Sequence, residues 1–257
     1  MPHRQAKVQA APKRKSPPSE PRTELMGTMH RALLCIVCLG LFAVLTLAQD
    51  APPGDDEGFV SIFTGQDLAG WVVAGTAETW KVEDGTLICT GQGGGWIHTE
   101  KVYRDLILRV EYKVGPKGNS GIFVHAAPTG HQSAIAMECQ VQDDFGRQPS
   151  KGTAGAFYNV KAPAKNMSKP AGEWNQVEIL WQGDRVRTIM NGEVLYDLDL
   201  MDEELNNSVT AADVEKPRDR LREGFIGFQK HTGTVAFRNI RVQELSPPAG
   251  EAGEGAP

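Results

Sequence analysis

The sequence predicts an all-β fold, an antiparallel sandwich of two sheets. Three observations carry that expectation. Short segments of alternating apolar and polar residues follow one another from about residue 79 to 244, glycine turns separate them, and only residues 201–222 read as a helix or an excursion. Residues 79–82 and 86–90 flank Glu83-Asp84-Gly85, a hairpin signature because Asp-Gly readily adopts positive φ. In Leu106–Val114 the alternation is clean: Leu106, Leu108, Val110, Tyr112 and Val114 share one face, and Arg109, Glu111 and Lys113 share the other. Residues 120–127 and 136–143 repeat the habit. Residues 176–181, 186–190 and 194–198 read as a meander with a type I′ turn at Asn191-Gly192, and 225–230 and 234–244 close the domain around His231-Thr232-Gly233.

The ends differ in character. The chain has 257 residues, of which 1–25 are rich in Pro, Lys and Arg with nothing to bury. Residues 26–48 fit a secretory signal peptide: His30 and Arg31, an apolar run over 32–47, then Thr46-Leu47-Ala48 ahead of Gln49. That run is about 16 residues, short of the roughly 20 of a bilayer span. Export to the periplasm or the extracellular space with cleavage near Ala48 is therefore expected, with an uncleaved membrane anchor through 32–47 as the alternative. Cys35 and Cys38 fall inside this run and read as part of the signal rather than as a redox or zinc half-site. Residues 49–57 read as a linker, 58–245 as the sandwich, and 246–257, rich in Pro, Gly, Ala and Glu, as a disordered tail. Cys89 and Cys139 remain in the body, where they either pair or stay as buried free thiols. Residues 1–48 hold seven Lys+Arg and two Asp+Glu, so the remainder carries 20 against 30, a net of −10. A body that acidic does not suit nucleic acid, whose binding comes largely from neutralised phosphates. Neutral or cationic ligands, or a metal ion, suit it better.

The most informative segment is Ala136-Met-Glu-Cys-Gln-Val-Gln-Asp-Asp144. Alternation sends Met137, Cys139 and Val141 to one face and Glu138, Gln140 and Gln142 to the other. An ordinary half-exposed strand has the same pattern. The sharper reading is a sugar-binding face on one sheet, with Glu138, Gln140 and Asp143 converging there. Glu138-x-Gln140-x-x-Asp143 has the i, i+2, i+5 layout of the Glu-x-Asp-x-x-Glu motif in laminarinase-like retaining glycosidases, where a bulge brings the outer carboxylates to about 5–5.5 Å. Here Gln occupies the middle position, without the charge that helps set two carboxylate pKa values apart, which argues against the standard double displacement. In Gly118-Asn119-Ser120-Gly121-Ile-Phe-Val-His125 a turn delivers a strand, with Phe123 and His125 expected on one side. A lone strand histidine is more often structural than catalytic. The loop 162–175 offers Lys165 and Asn166, and Gln229-Lys230-His231 a turn histidine. Gly93-Gly94-Gly95-Trp96 lacks a following helix with Lys-Ser/Thr and is no phosphate loop. Trp96 stacks on a sugar ring or simply packs.

Phe63-Thr-Gly-Gln-Asp-Leu-Ala-Gly-Trp71, Trp80-Lys-Val-Glu-Asp-Gly85, Gly118-Asn-Ser-Gly-Ile122 and Glu138-x-Gln140-Val-x-Asp143 follow one another in order. So do Ala162-Pro163, Lys165-Asn166, Gly172-Glu-Trp-Asn175, Asn191-Gly192 and Phe237-Arg-Asn-Ile-Arg241. This ordered set resembles the 3-keto-disaccharide hydrolase family, also described as 3-keto-glucoside 1,2-lyase/3-keto-2-hydroxy-glucal hydratase, over about residues 58–245. Lys230 is a departure, standing where an acidic or small polar residue is expected before the histidine. The resemblance implies a jelly-roll sandwich of the concanavalin A-like lectin/glucanase type and extracytoplasmic carbohydrate breakdown.

The chemistry so implied needs a base near C2 of the sugar, a stabiliser for the enolate oxygen and an acid for the leaving group. His125 or Glu138 is expected as the base. Lys165 or a bound divalent cation would stabilise the enolate, and His231 or Asp143 would assist departure. Trp96, Asn119, Gln140 and Asn166 would position the sugar. No oxidoreductase signature is present, so a separate oxidoreductase would have to supply the keto sugar. A lectin-like carbohydrate-binding module and a conventional retaining glycosidase are the competing classes, since a fold by itself does not define an activity.

Overall fold

The computed structural model describes residues 57–247. The basic leader, the signal segment, the linker up to residue 56 and the tail from 248 lie outside the described residues.

The first eight strands are β1 (Val60–Ser61), β2 (Trp71–Gly75), β3 (Trp80–Glu83), β4 (Thr86–Cys89), β5 (Gly95–Tyr103), β6 (Leu106–Val114), β7 (Asn119–Ala126) and β8 (Met137–Gln142). After a long loop come β9 (Trp174–Gln182), β10 (Arg185–Met190) and β11 (Glu193–Asp199), and after a polar excursion β12 (Gly224–Gln229) and β13 (Val235–Glu244). One sheet runs β11-β10-β9-β6-β13-β4-β3, with β1 paired to the far end of β13, and the other runs β2-β5-β12-β7-β8. The pairings are antiparallel, so the fold is the all-β, two-sheet antiparallel class that the alternating pattern predicts.

The local reasons are visible in the residues. The β3–β4 turn is Asp84-Gly85 and the β10–β11 turn is Asn191-Gly192, each with both residues at positive φ, the geometry that matches the twist of a tight hairpin. On β6 the five apolar residues of one face are buried, and each contributes about 2 kcal/mol relative to exposure. The two sheets meet through an aromatic column. Phe228 of β12 stacks on Phe237 of β13 with centroids 4.2 Å apart, and Trp71 and Trp80 extend it at 5.5 and 6.4 Å. Cys89 and Cys139 are both buried and free, and no disulfide joins them.

The structure departs from the sequence reading at β1 and β2, at β5 and at β7. β1 and β2 form where no strand is expected. β5 forms as well: its Ile97 and Thr99 face the inter-sheet core while Trp96 and His98 pack on the outer face, so both sides are covered and the polar–apolar alternation is hidden. Residues 201–222 form the excursion, one of the two readings the sequence offers, with a short helix, α2 (Glu203–Asn207), and a 3-10 turn at Pro217–Asp219. Asp202 caps α2 through the Leu205 amide at 2.7 Å, and Pro217 cannot continue a helix. Finally, β7 carries a bulge. Ile122 and Val124 face the core and Phe123 faces outward, but His125, at φ 56°, turns inward as well, and Ala126 faces outward again. The ladder registers the extra residue as a shift between Phe225 and Gly227 on β12.

Candidate active site

The outer face of the five-stranded sheet holds the chemistry. β8 projects Glu138, Gln140 and Gln142 there in succession, opposite Phe123, Gly121 and Asn119 of β7. Two irregular segments cover this face. One is the short helix α1 (Gln132–Ile135) with its flanking residues. The other, residues 153–158, runs along β8: the Gln140 amide donates to Ala156 O at 3.0 Å, the Gly155 amide to Gln140 O at 2.8 Å, and the Tyr158 amide to Glu138 O at 2.9 Å.

Between them lies a cleft of about 370 Å³. Glu138, Gln140, Gln142 and Asn119 form its floor, His131 and Ser133 come from the α1 side, Tyr158 from the second segment and Gly152 from just before it, and Gln229 and His231 from the end of β12. His231 is held in place by its neighbour: the Asn119 amide donates to Thr232 O at 2.8 Å and the Thr232 amide returns to Asn119 O at 3.3 Å. Shallower grooves of about 690 and 780 Å³ lie along the eight-stranded sheet, and their carboxylates are all exposed.

Glu138 is the centre of the cleft's electrostatics. It is 2% exposed, and its Oε2 has no hydrogen-bond partner in the protein. Burial pushes its carboxyl up to about 7, against the opposing effects of a hydrogen bond with Ser133 and the positive charge of Arg220. Gln229 donates from Nε2 to Ser133 Oγ at 2.9 Å, which leaves its own Oε1 buried and open. Gln140, 3% exposed, donates weakly to Asn119 Oδ1 and to Gln142 Oε1, both at 3.4 Å. The arrangement thus offers a carboxylate that titrates near neutrality, open acceptors for hydroxyl groups, primary amides, and two exposed imidazoles. Among the described residues, no three His, Cys, Asp or Glu side chains are grouped to hold a metal ion.

Of the nine residues singled out from sequence, the structure brings Glu138, Gln140, Asn119 and His231 together in this cleft. Trp96 lies beside it: its ring stacks on His98 at 4.5 Å and meets Phe123 edge-on at 6.0 Å, while its backbone pairs with Gln229.

The other four are placed elsewhere. His125 is 1% exposed behind the sheet, its ring 4.3 Å from that of Trp181. Its Nε2 donates to Arg104 O at 2.7 Å, and burial holds its pKa down at about 4. The bulge is the reason, because it breaks the alternation that would have set His125 beside Phe123. Asp143 accepts the Lys117 amide at 2.8 Å and closes the turn before β7 rather than lining the cleft. Lys165 is exposed and reaches Glu193 at 3.5 Å. Asn166 ties the long loop together, donating to Asp144 O at 2.9 Å and Arg147 O at 3.1 Å and accepting from Ser168 Oγ at 2.7 Å.

Sequence reasoning missed His131, Ser133 and Tyr158. All three sit in segments without strand periodicity, so alternation could not assign them to a face. The signal was non-local: Tyr158 is placed by the backbone pairing of residues 153–158 with β8, and His131 and Ser133 by α1, which the Glu215 amide fastens at Ala134 O.

The cleft opens on the outer face of one sheet of an antiparallel two-sheet sandwich, and comparison with known proteins shows which family carries this arrangement. Residues 58–243 match the model of the 3-keto-alpha-glucoside-1,2-lyase-like domain, and the chain belongs to that family. It is similar to a Bacteroides thetaiotaomicron protein named 3-keto-disaccharide hydrolase, 28% identical over 235 residues that span 75% of this chain and 80% of that one. It also resembles a crystal structure of a Parabacteroides distasonis protein named as a candidate glycosyl hydrolase. That structure is 27% identical with a TM-score of 0.64, over 74% of this chain and 95% of the other. A second structure from that organism, 24% identical with a TM-score of 0.64 over 73% and 99% of the two chains, shares the fold.

Proposed function

We propose that this chain cleaves 3-keto-glycosides by elimination and hydration, with Glu138 as the base. The single observation that carries the reading is a buried, half-unpartnered carboxylate at the floor of a polar cleft. Membership in the 3-keto-alpha-glucoside-1,2-lyase-like family and the name of the Bacteroides relative support the same substrate class.

A carbonyl at C3 acidifies the C2 proton. Glu138 takes that proton and leaves an enolate, whose oxygen is stabilised by amide donors such as Gln140 and Asn119. The C1–glycosidic oxygen bond then breaks as the enolate collapses, and the departing oxygen receives a proton from a rim imidazole, His231 or His131. The ring is left with a C1–C2 double bond conjugated to the ketone. Water gives its hydroxyl to C1 and its proton back to the imidazole that protonated the leaving oxygen, and a proton returns to C2 from Glu138, giving the free 3-keto sugar. The sum is hydrolysis. Supply of the 3-keto substrate by a separate oxidoreductase and export of the mature domain remain parts of this proposal.

A retaining glycosidase needs two carboxylates about 5–5.5 Å apart, and Glu138 is the one carboxylate lining the cleft among the described residues. The deciding assay incubates the purified protein with a 3-keto-glucoside and with its unoxidised parent, with and without chelator, and follows aglycone release. Release from the keto form alone is expected. Release from the parent would indicate an ordinary glycosidase, and release from neither a binding module.

Gly121 supplies a sharper test of geometry. A methyl group there would stand 2.3 Å from Glu138 Oε1 and 2.7 Å from its Cδ, so Gly121→Ala must displace the carboxylate. Turnover of the 3-keto-glucoside should fall about 10²-fold, the effect of a misplacement near 1 Å. Circular dichroism should show the fold retained. Turnover at the wild-type rate would place the reacting carboxylate elsewhere.

A further inference from the structure

We infer that Arg220 is a positioning residue for Glu138: a buried guanidinium, delivered by the excursion between β11 and β12, that holds the charge of the carboxylate inside the desolvated cleft. The inference rests on Glu138 being the base of the proposed reaction.

Arg220 is 3% exposed. Its Nη1 donates to Ala136 O, two residues before Glu138, and its guanidinium carbon lies 4.8 Å from the Phe157 ring centroid. Phe157 bridges to Cys139 on β8, and the next amide, that of Tyr158, donates to Glu138 O. Arg220 is therefore gripped by the two backbone segments that flank Glu138. Its Nε and Nη2 are buried and meet no acceptor, just as Glu138 Oε2 is buried and meets no donor. A buried cation with two unused donors is costly, and an apolar side chain of similar size would serve stability better. Stability alone does not explain this residue.

The excursion is built to keep Arg220 in place. Asn206, fully buried, accepts the Arg218 amide at 3.0 Å and donates to Leu200 O and Asp202 O. Arg222 donates to Arg220 O at 2.7 Å and pairs with Asp184 at 2.8 Å. The Glu215 amide donates to Ala134 O at 2.9 Å, fastening the excursion to α1, which also carries Ser133.

The groups that face Glu138 are the Ser133 hydroxyl from α1, Arg220 from the excursion, and His131, Tyr158 and His231 around the cleft. Arg220 is the one permanent cation among them. Glu215, exposed, faces Arg220 from the same excursion. Burial favours the protonated carboxyl, which cannot accept the C2 proton, and the guanidinium opposes that tendency.

The test titrates Glu138 in the intact protein by carboxyl ¹³C NMR, assigned with Glu138→Gln, alongside the pH profile of kcat/KM on a 3-keto-glucoside. In Arg220→Met the Glu138 midpoint is expected to rise by about one unit or more. The acid limb of kcat/KM should move with it, and the rates should converge at high pH. Arg220→Lys should restore most of the displacement. A uniform loss at every pH with an unmoved midpoint would mean a structural role only and overturn the inference.

The titration needs no substrate. A shifted midpoint without keto-sugar turnover would sink the proposed reaction and leave the coupling standing, and turnover with an unmoved midpoint would do the reverse. Should Arg220→Met fail to fold, Arg220→Gln is compared with and without Glu138→Gln by thermal unfolding at pH 8. A smaller Tm loss in the Glu138→Gln background supports the coupling, and equal losses overturn it.

Discussion

Glu138→Gln should lower kcat on a 3-keto-glucoside by about 10³-fold, the usual contribution of a positioned general base, and should at the same time make the protein more stable at alkaline pH. Both effects follow from one environment. The carboxyl titrates near 7 in the folded protein against 4.5 for a free side chain, because burial penalises its charged form. As a base it must be ionised, so wild-type activity should fall as pH drops through 7.

Stability runs the other way. Between pH 4.5 and 7 the unfolded chain releases this proton before the folded one does, so rising pH costs the folded state up to about 3 kcal/mol, complete above pH 7. Glutamine has no such penalty and keeps the shape. Urea unfolding at pH 5 and pH 8.5 should therefore show little difference between the two proteins at the lower pH and a more stable variant at the higher. A variant that turns over normally would remove Glu138 from the chemistry, and one no more stable at pH 8.5 would contradict the buried setting.

His125→Ala should instead cost about 4 kcal/mol of folding stability, from the cavity left beside Trp181 and the Arg104 carbonyl left without its donor. Denaturant unfolding at pH 7.5 measures it. The folded histidine is held neutral, with its pKa at about 4 against 6.5 when free, so its contribution is full above pH 6.5 and fades as pH falls toward 4. Protein that remains folded should retain most of its keto-sugar turnover, since the ring lies behind the sheet rather than in the cleft. Near-native stability with turnover abolished would return His125 to the role of base.

His125 and Glu138 illustrate what alternation can and cannot deliver. On β8 the period of two runs unbroken from Met137 to Gln142, and a reader of the sequence places Glu138, Gln140 and Gln142 on one face correctly. On β7 the same rule fails at a single bulged residue, because a left-handed φ at His125 rotates every assignment beyond Val124 by one position. Asp143 and Asn166 fail for a related reason: each lies beyond a strand end, where side-chain direction is decided by the amides it can satisfy. Asp143 closes on Lys117, and Asn166 on Asp144 and Arg147.

Local chemistry written in the residue order was enough to determine the all-β class, the two Asx-Gly hairpins, the buried face of β6 and the polar face of β8. These depend on intervals of two to four residues, and neighbouring side chains and turn geometry decide them. Tertiary structure alone decided which polar groups meet. The cleft joins β7, β8, β12, α1 and residues 152–158: its unpartnered carboxylate and Ser133 come from one stretch of chain, His231 from a second, and the buried Arg220 near Glu138 from a third. The raised pKa of Glu138 is likewise a property of burial, which no interval along the sequence encodes: it arises only when distant segments close over the carboxylate and exclude water from it.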